Sequence, residues 1–167
     1  MTTQTKIDHL LENQQAYSGS FAHGSLSGAP ALKVAVVTCM DCRIEPAGLL
    51  GISEGDAHLL RNAGGVVTED VLRSLIISQQ KLGTREIMLI QHTQCGMLTF
   101  ENEEFKDQLE SQVGQRPEIH FHPFRDLEEN VKHSIEKIRQ CPFLIERNQV
   151  RGFIYDVASG RLNEVET

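Results

Sequence analysis

Two short apolar runs in this chain, Val34-Ala35-Val36-Val37-Thr38 and Ile87-Met88-Leu89-Ile90, each pass without a break into a polar cluster containing cysteine. Runs of this length, rich in branched side chains, suit buried strands. Phe153-Ile154-Tyr155-Asp156-Val157 is a third run, and His58-Leu59-Leu60-Arg61 a weaker one. Helical periods fill the intervals. Glu69 to Leu82 places Val71, Leu72, Leu75, Ile76 and Gln79 on one face, starts at acidic residues and stops before Gly83. Leu127 to Arg139 aligns Leu127, Val131, Ile135 and Ile138, with Pro142 just beyond. Strands alternating with helices predict an α/β fold built on a parallel sheet covered on both faces.

The flanks are simpler. Residues 3–17 carry Ile7, Leu10 and Leu11 at helical spacing, which predicts an N-terminal amphipathic helix, and 18–30 reads as a Gly/Ser/Ala-rich loop. A turn over Ala158-Ser159-Gly160-Arg161 leads to a last short strand at Leu162–Val165. A chain of 167 residues suits one domain, 1–167, with 1–30 as its arm and loop. Its net charge of −7 opposes nucleic-acid binding, which calls for a basic face. No apolar stretch reaches the length of a membrane span, and Met1 to Leu10 lacks the pattern of a secretory signal. A reducing, cytoplasmic setting is expected. There, Cys39, Cys42, Cys95 and Cys141 serve metal binding or catalysis sooner than disulfides.

In open α/β sheets, ligands bind outside the carboxyl ends of strands. The first run ends in Thr38-Cys39-Met40-Asp41-Cys42-Arg43, the other in Gln91-His92-Thr93-Gln94-Cys95-Gly96. If those strands are neighbours, two thiols and an imidazole converge, a donor set suited to Zn2+. Singly, each residue reads as well as a small buried hydrophobe or a satisfied polar group. Jointly they read as a metal site. Cys42 opens rival readings: a closed four-ligand structural zinc site, or a Cys39/Cys42 redox pair. The alternation of Asp41 and Arg43 with the thiols argues against both, because a structural knuckle needs no acid–base pair. Asp41 and Arg43 also read as a plain surface ion pair.

Cys39-x-Asp41-x-Arg43, then Arg61-Asn62-Ala63-Gly64-Gly65, then His92-x-x-Cys95-Gly96 closely resembles the β-class carbonic anhydrases. The resemblance covers residues 32–100 and continues more weakly through Arg151-Gly152-Phe153. It implies a mostly parallel four- or five-stranded sheet flanked by helices, with an N-terminal helical arm that packs on a partner subunit in a homodimer or tetramer. It implies Cys39, His92 and Cys95 as zinc ligands and Asp41 and Arg43 as a catalytic dyad, with Asp41 a fourth ligand in a closed state. The implied activity is hydration of CO2 by a zinc-bound hydroxide that the dyad orients. Family members that hydrolyse carbonyl sulfide or carbon disulfide supply the alternative, and a zinc-stapled, non-catalytic binding module the remoter one. Cys42 departs from the family pattern, which usually has Ser or Ala there. With two thiolates the metal is a weaker Lewis acid than in a three-histidine site, so activity is expected to rise at a higher pH.

Gly64 and Gly65 let backbone approach a ligand closely, which makes them candidates for substrate binding; a tight packing turn is the other reading. His23, His58, His120 and His122 are candidate proton relays that read equally as surface histidines. Cys141 reads as structural, and Glu101–Glu110 as a solvated helix face.

Overall fold

The computed structural model describes residues 5–167. Five strands are present: β1 (Val34–Cys39), β2 (Ala57–Asn62), β3 (Glu86–His92), β4 (Val150–Tyr155) and β5 (Leu162–Glu164). The helices are α1 (Lys6–Gly19), α2 (Pro46–Leu50), α3 (Glu69–Leu82), α4 (Asn102–Val113) and α5 (Leu127–Arg139). Short 3-10 turns at Ala63–Gly65 and Gly96–Leu98 follow β2 and β3.

Local chemistry sets the helix ends. Thr5 and Asp8 form a reciprocal capping box at the start of α1. Residues 3 and 4 of the expected first helix lie outside the described residues. Thr68 caps α3, which ends at Gly83 in the left-handed region (φ 77°). Asp126 caps α5 by accepting from the Glu129 amide at 2.9 Å. Sequence reading missed α2. Its signals were present: Pro46 in the first turn, Glu45 accepting from the Ala47 and Gly48 amides, and Gly51 as left-handed stop. The acidic stretch from Glu101 belongs to α4, which carries no buried residue.

The strand order is β2-β1-β3-β4-β5. The first four strands run parallel, and β5 is antiparallel to β4. The expected mostly parallel sheet therefore stands, with five strands. From β1 the chain moves outward to β2, then crosses back to place β3 on the other side of β1. The β1/β3 seam is thus the topological switch point, where the crevice of an open α/β sheet opens.

The main core joins Ala35 and Val37 of β1, Ile87 and Leu89 of β3 and Val150 of β4 to Val71 and Leu75 of α3 and to Val131, Ile135 and Ile138 of α5. Because side chains alternate along a strand, α3 and α5 share one face of the sheet. On the opposite face Val34, Met88 and Phe153 line a shallow depression beside Glu86 and Arg151. Gly152 makes the α5 contact possible: a Cβ there would meet Val131 Cγ1 and, at 2.6 Å, Ile135 Cδ1. A smaller cluster of Cys39, Ile44, Cys95, Met97 and Phe124 lies at the carboxyl edge.

Candidate metal centre

The register Thr38↔Ile90 puts the carboxyl ends of β1 and β3 at one edge. Cys39 is the last residue of β1 and His92 the last of β3. Cys95 follows on the turn after β3, where Gln94 adopts φ 56°. The Sγ atoms of Cys39 and Cys95 and a ring nitrogen of His92 lie within 4.8 Å of one another, and all three residues are buried. Among the described residues this is the one such group of His, Cys, Asp or Glu.

Each donor is prepared by its neighbours. His92 Nδ1 lies 2.9 Å from the Thr93 carbonyl, which can only accept, so the proton sits on Nδ1. That leaves the Nε2 lone pair for a metal. Nε2 is buried and has no hydrogen-bond partner among the described residues, although His92 is wholly inaccessible. A buried ring nitrogen left so is costly in a finished core and natural in a ligand.

The Gly64 amide donates to Cys39 Sγ at 3.3 Å. The hydrogen bond from Cys95 is the largest influence holding the Cys39 thiol below its ordinary pKa, and the same contact with burial drives Cys95 upward. Burial works against a charged His92 ring, but the Cys39 thiolate beside it outweighs that and raises its pKa. Two thiolates and one imidazole in a buried, closely spaced set match zinc chemistry.

Asp41 stands beside this group, its Oδ2 3.7 Å from His92 Nε2. Arg43 grips it bidentately, Nε to Oδ1 at 2.9 Å and Nη2 to Oδ2 at 2.7 Å. That grip, with the Arg43 amide bonded to Oδ1, holds the carboxyl far below its ordinary range. Arg43 is anchored in turn on the Gln94 carbonyl at 3.1 Å. Arg61 ties the loop from the other side, donating to the Cys39 and Asp41 carbonyls at 3.0 and 2.8 Å. Sequence reading quoted Arg61 within a motif and gave it no task; no local signal announces that its side chain reaches back over the loop.

Cys42 is exposed and outside the converging group. Gly64 and Gly65 are buried against Cys39. A Cβ on Gly65, at φ 61°, would come 2.9 Å from the Cys39 amide nitrogen and 3.0 Å from the Ile90 carbonyl. His58 bonds Ser78 Oγ at 2.7 Å, and His23 lies 4.0 Å from a Glu54 carboxylate oxygen, so neither joins the group.

A parallel sheet with a metal-capable Cys-His-Cys donor set at its switch point, flanked by an Asp–Arg pair, defines an α/β protein with a candidate metal centre. The model of the carbonic anhydrase family matches residues 34–162. Beta-carbonic anhydrase 1 of Mycobacterium tuberculosis is 47% identical over 161 residues, covering 96% of this chain and 98% of that protein. A carbon disulfide hydrolase of Acidianus is 32% identical, over 77% of this chain and 75% of its own. The crystal structure of a carbonic anhydrase from Streptococcus mutans superposes with a TM-score of 0.92 at 43% identity, covering 99% of this chain and all of that one. The chain belongs to the β-carbonic anhydrase family.

Proposed function

We propose that this enzyme hydrates CO2 to bicarbonate and a proton at a zinc ion held by Cys39, His92 and Cys95. The observation that carries the reading is the convergence of these buried donors beside a carboxylate already gripped by an arginine. When bound, zinc supplies a hydroxide-strength nucleophile near neutral pH by acidifying water. The chain's own groups do the rest. Asp41, kept ionised by Arg43, would accept a hydrogen bond from a hydroxyl or water held beside the donor group and so orient that oxygen toward substrate. Arg43 bonds both oxygens of Asp41, and that hold would compete with any closed state in which Asp41 served as a fourth ligand. The Gly64 amide steadies the Cys39 thiolate, a supporting role beside the substrate contact expected of Gly64 and Gly65.

The second reading keeps the site and changes the substrate to carbonyl sulfide or carbon disulfide, releasing hydrogen sulfide. Relatives named carbon disulfide hydrolase favour it, but over a smaller share of the chain than the carbonic anhydrases. An exposed Cys42 outside the donor group speaks against a closed zinc module. Two features support a homodimer or larger multiple. The arm helix α1 has no buried residue, with Ile7, Leu10 and Leu11 exposed, and one sheet face is open at Val34, Met88 and Phe153. Four unbridged cysteines suit a reducing, cytoplasmic location. Among the described residues no helix is long and apolar enough to cross a membrane.

The deciding experiment measures metal content, then CO2 hydration by stopped flow, then sulfide release from carbonyl sulfide and carbon disulfide. About one zinc per chain with fast CO2 hydration and negligible sulfide is expected. Dominant sulfide release would transfer the assignment to the second reading, and metal-free active protein would end both.

A further inference from the structure

Away from the metal centre, a cavity of about 180 Å³ lies between the 3-10 turn after β2, the loop before α5 and α5 itself. His120, His122, Asn130, His133, Ser134 and Lys137 line it, and no acidic side chain does. In a chain of net charge −7, that one-sided lining is notable for its sign. Lys137 Nζ donates to the Val67 carbonyl at 2.7 Å, so the ammonium is fixed at the wall with protons to spare. His120 Nδ1 accepts the His122 amide at 3.0 Å, which leaves Nε2–H as the donor of that ring. His122 takes φ 57°, and its ring centroid stands 4.5 Å from that of His120. Asn130 Oδ1 accepts from Gln91 Nε2 at 2.7 Å, so its amide N–H protons remain available.

Ser134 gives the independent observation. It is 1% exposed, and its Oγ has no hydrogen-bond partner among the described residues. A helical serine ordinarily satisfies itself on a carbonyl one turn back. Ser134 is among the residues lining the polar cavity, so its unpartnered hydroxyl stands where a bound acceptor could satisfy it.

We propose that this cavity is a binding site for a small oxyanion of the bicarbonate, sulfate or phosphate type, held by Ser134 Oγ, Lys137 Nζ and the imidazoles of His120, His122 and His133. The volume fits one such ion, and the lining offers donors in several directions with no competing carboxylate. A cation does not suit it: the Lys137 ammonium faces the cavity, and the three imidazoles are not among the groups whose ligand atoms converge. Burial, and then the positive fields of His120 and Lys137, hold the His122 ring below its ordinary pKa, and an anion would relieve that. The proposal is independent of the catalytic reading.

The test is a titration of zinc-loaded, 15N-labelled protein with sodium sulfate, phosphate or hydrogencarbonate against chloride at constant ionic strength, followed on the histidine rings by NMR. Saturable shifts are expected at His120, His122 and His133, with His58 as the unmoved control. Lys137→Met and Ser134→Ala should each weaken binding about tenfold, and sulfate should raise the titration midpoint of His122. His122→Asn keeps a residue that tolerates the left-handed backbone and guards against a folding artefact, with melting temperatures checked throughout. Saturation by all three anions marks a general oxyanion site, and saturation by hydrogencarbonate alone marks a site selective for that ion. Non-saturable shifts, shifts equal at His58, unchanged affinity in the variants, or tighter binding of Zn2+ than of any oxyanion at these rings would overturn the proposal.

Discussion

Asp41 is oriented by Arg43 through both carboxylate oxygens and by the Arg43 amide. Asp41→Asn should leave zinc stoichiometry intact and lower kcat/KM about a hundredfold, since general-base and positioning groups contribute roughly that much. Because its pKa is lowered, the carboxylate's contribution is complete above the usual carboxylate range of about 4 and is lost only as pH falls well below it. Cys42→Ser, by contrast, should keep both metal and activity, read by metal analysis and stopped flow. His122 obeys the same sign rule. Its pKa is lowered by burial, then by His120 and Lys137, with His133 also lining the cavity, so its neutral form stabilises the fold above about pH 6.5. That stability is lost as pH falls through the lower folded value. Melting temperature followed from pH 7.5 down to about 5 should fall less steeply in His122→Asn than in the parent. The residues of the metal group were legible because three chemically matched side chains each followed a strand-like run. The part of Arg61 was not, because a side chain that bonds carbonyls of another segment leaves no periodic trace.

At the scale of elements, two glycines decide how pieces meet. Gly65 lies at φ 61° with the Cys39 and Ile90 backbones about 3 Å from where a Cβ would stand. Gly65→Ala should therefore displace the Cys39 turn and reduce zinc retention in equilibrium dialysis. Gly152 admits α5 onto β4, and Gly152→Ala should destabilise by roughly 1–3 kcal/mol through overpacking, measured by urea denaturation, with little effect on metal affinity. The pair separates a glycine serving the site from one serving the core. β1, β3 and β4 were readable as unbroken apolar runs, β1 and β3 being buried on both faces, and helices α3 and α5 from period and caps, because each buries one stripe. β2 gave a weaker signal since it is an edge strand of mixed burial, and α2 gave none since five residues make little more than one turn. That α3 and α5 lie on the same sheet face was not readable, because an amphipathic helix reports that it covers something and not which side it covers.

For the whole molecule, a metal bound only by the folded state adds stability by mass action. Zinc at about a thousand times its Kd adds roughly 4 kcal/mol, so stripping it with a chelator should lower Tm by on the order of 10 °C in a scan of holo and apo protein. The exposed arm and the open sheet face make a second expectation. Leu10→Ser together with Leu11→Ser should shift sedimentation toward monomer, whereas an unchanged coefficient would remove α1 from the interface. The order and kind of the elements, and the residue types able to hold a zinc ion, were determined by sequence alone, since period, caps and donor chemistry are local properties. Tertiary structure decided the rest: that β1 and β3 are neighbours in register, that Cys42 faces outward, that Arg43 takes Asp41 in both hands, and that three histidines, a serine and a lysine share one cavity. Those outcomes depend on which segments, distant along the chain, come to lie side by side, and that is set by the packing of the whole sheet.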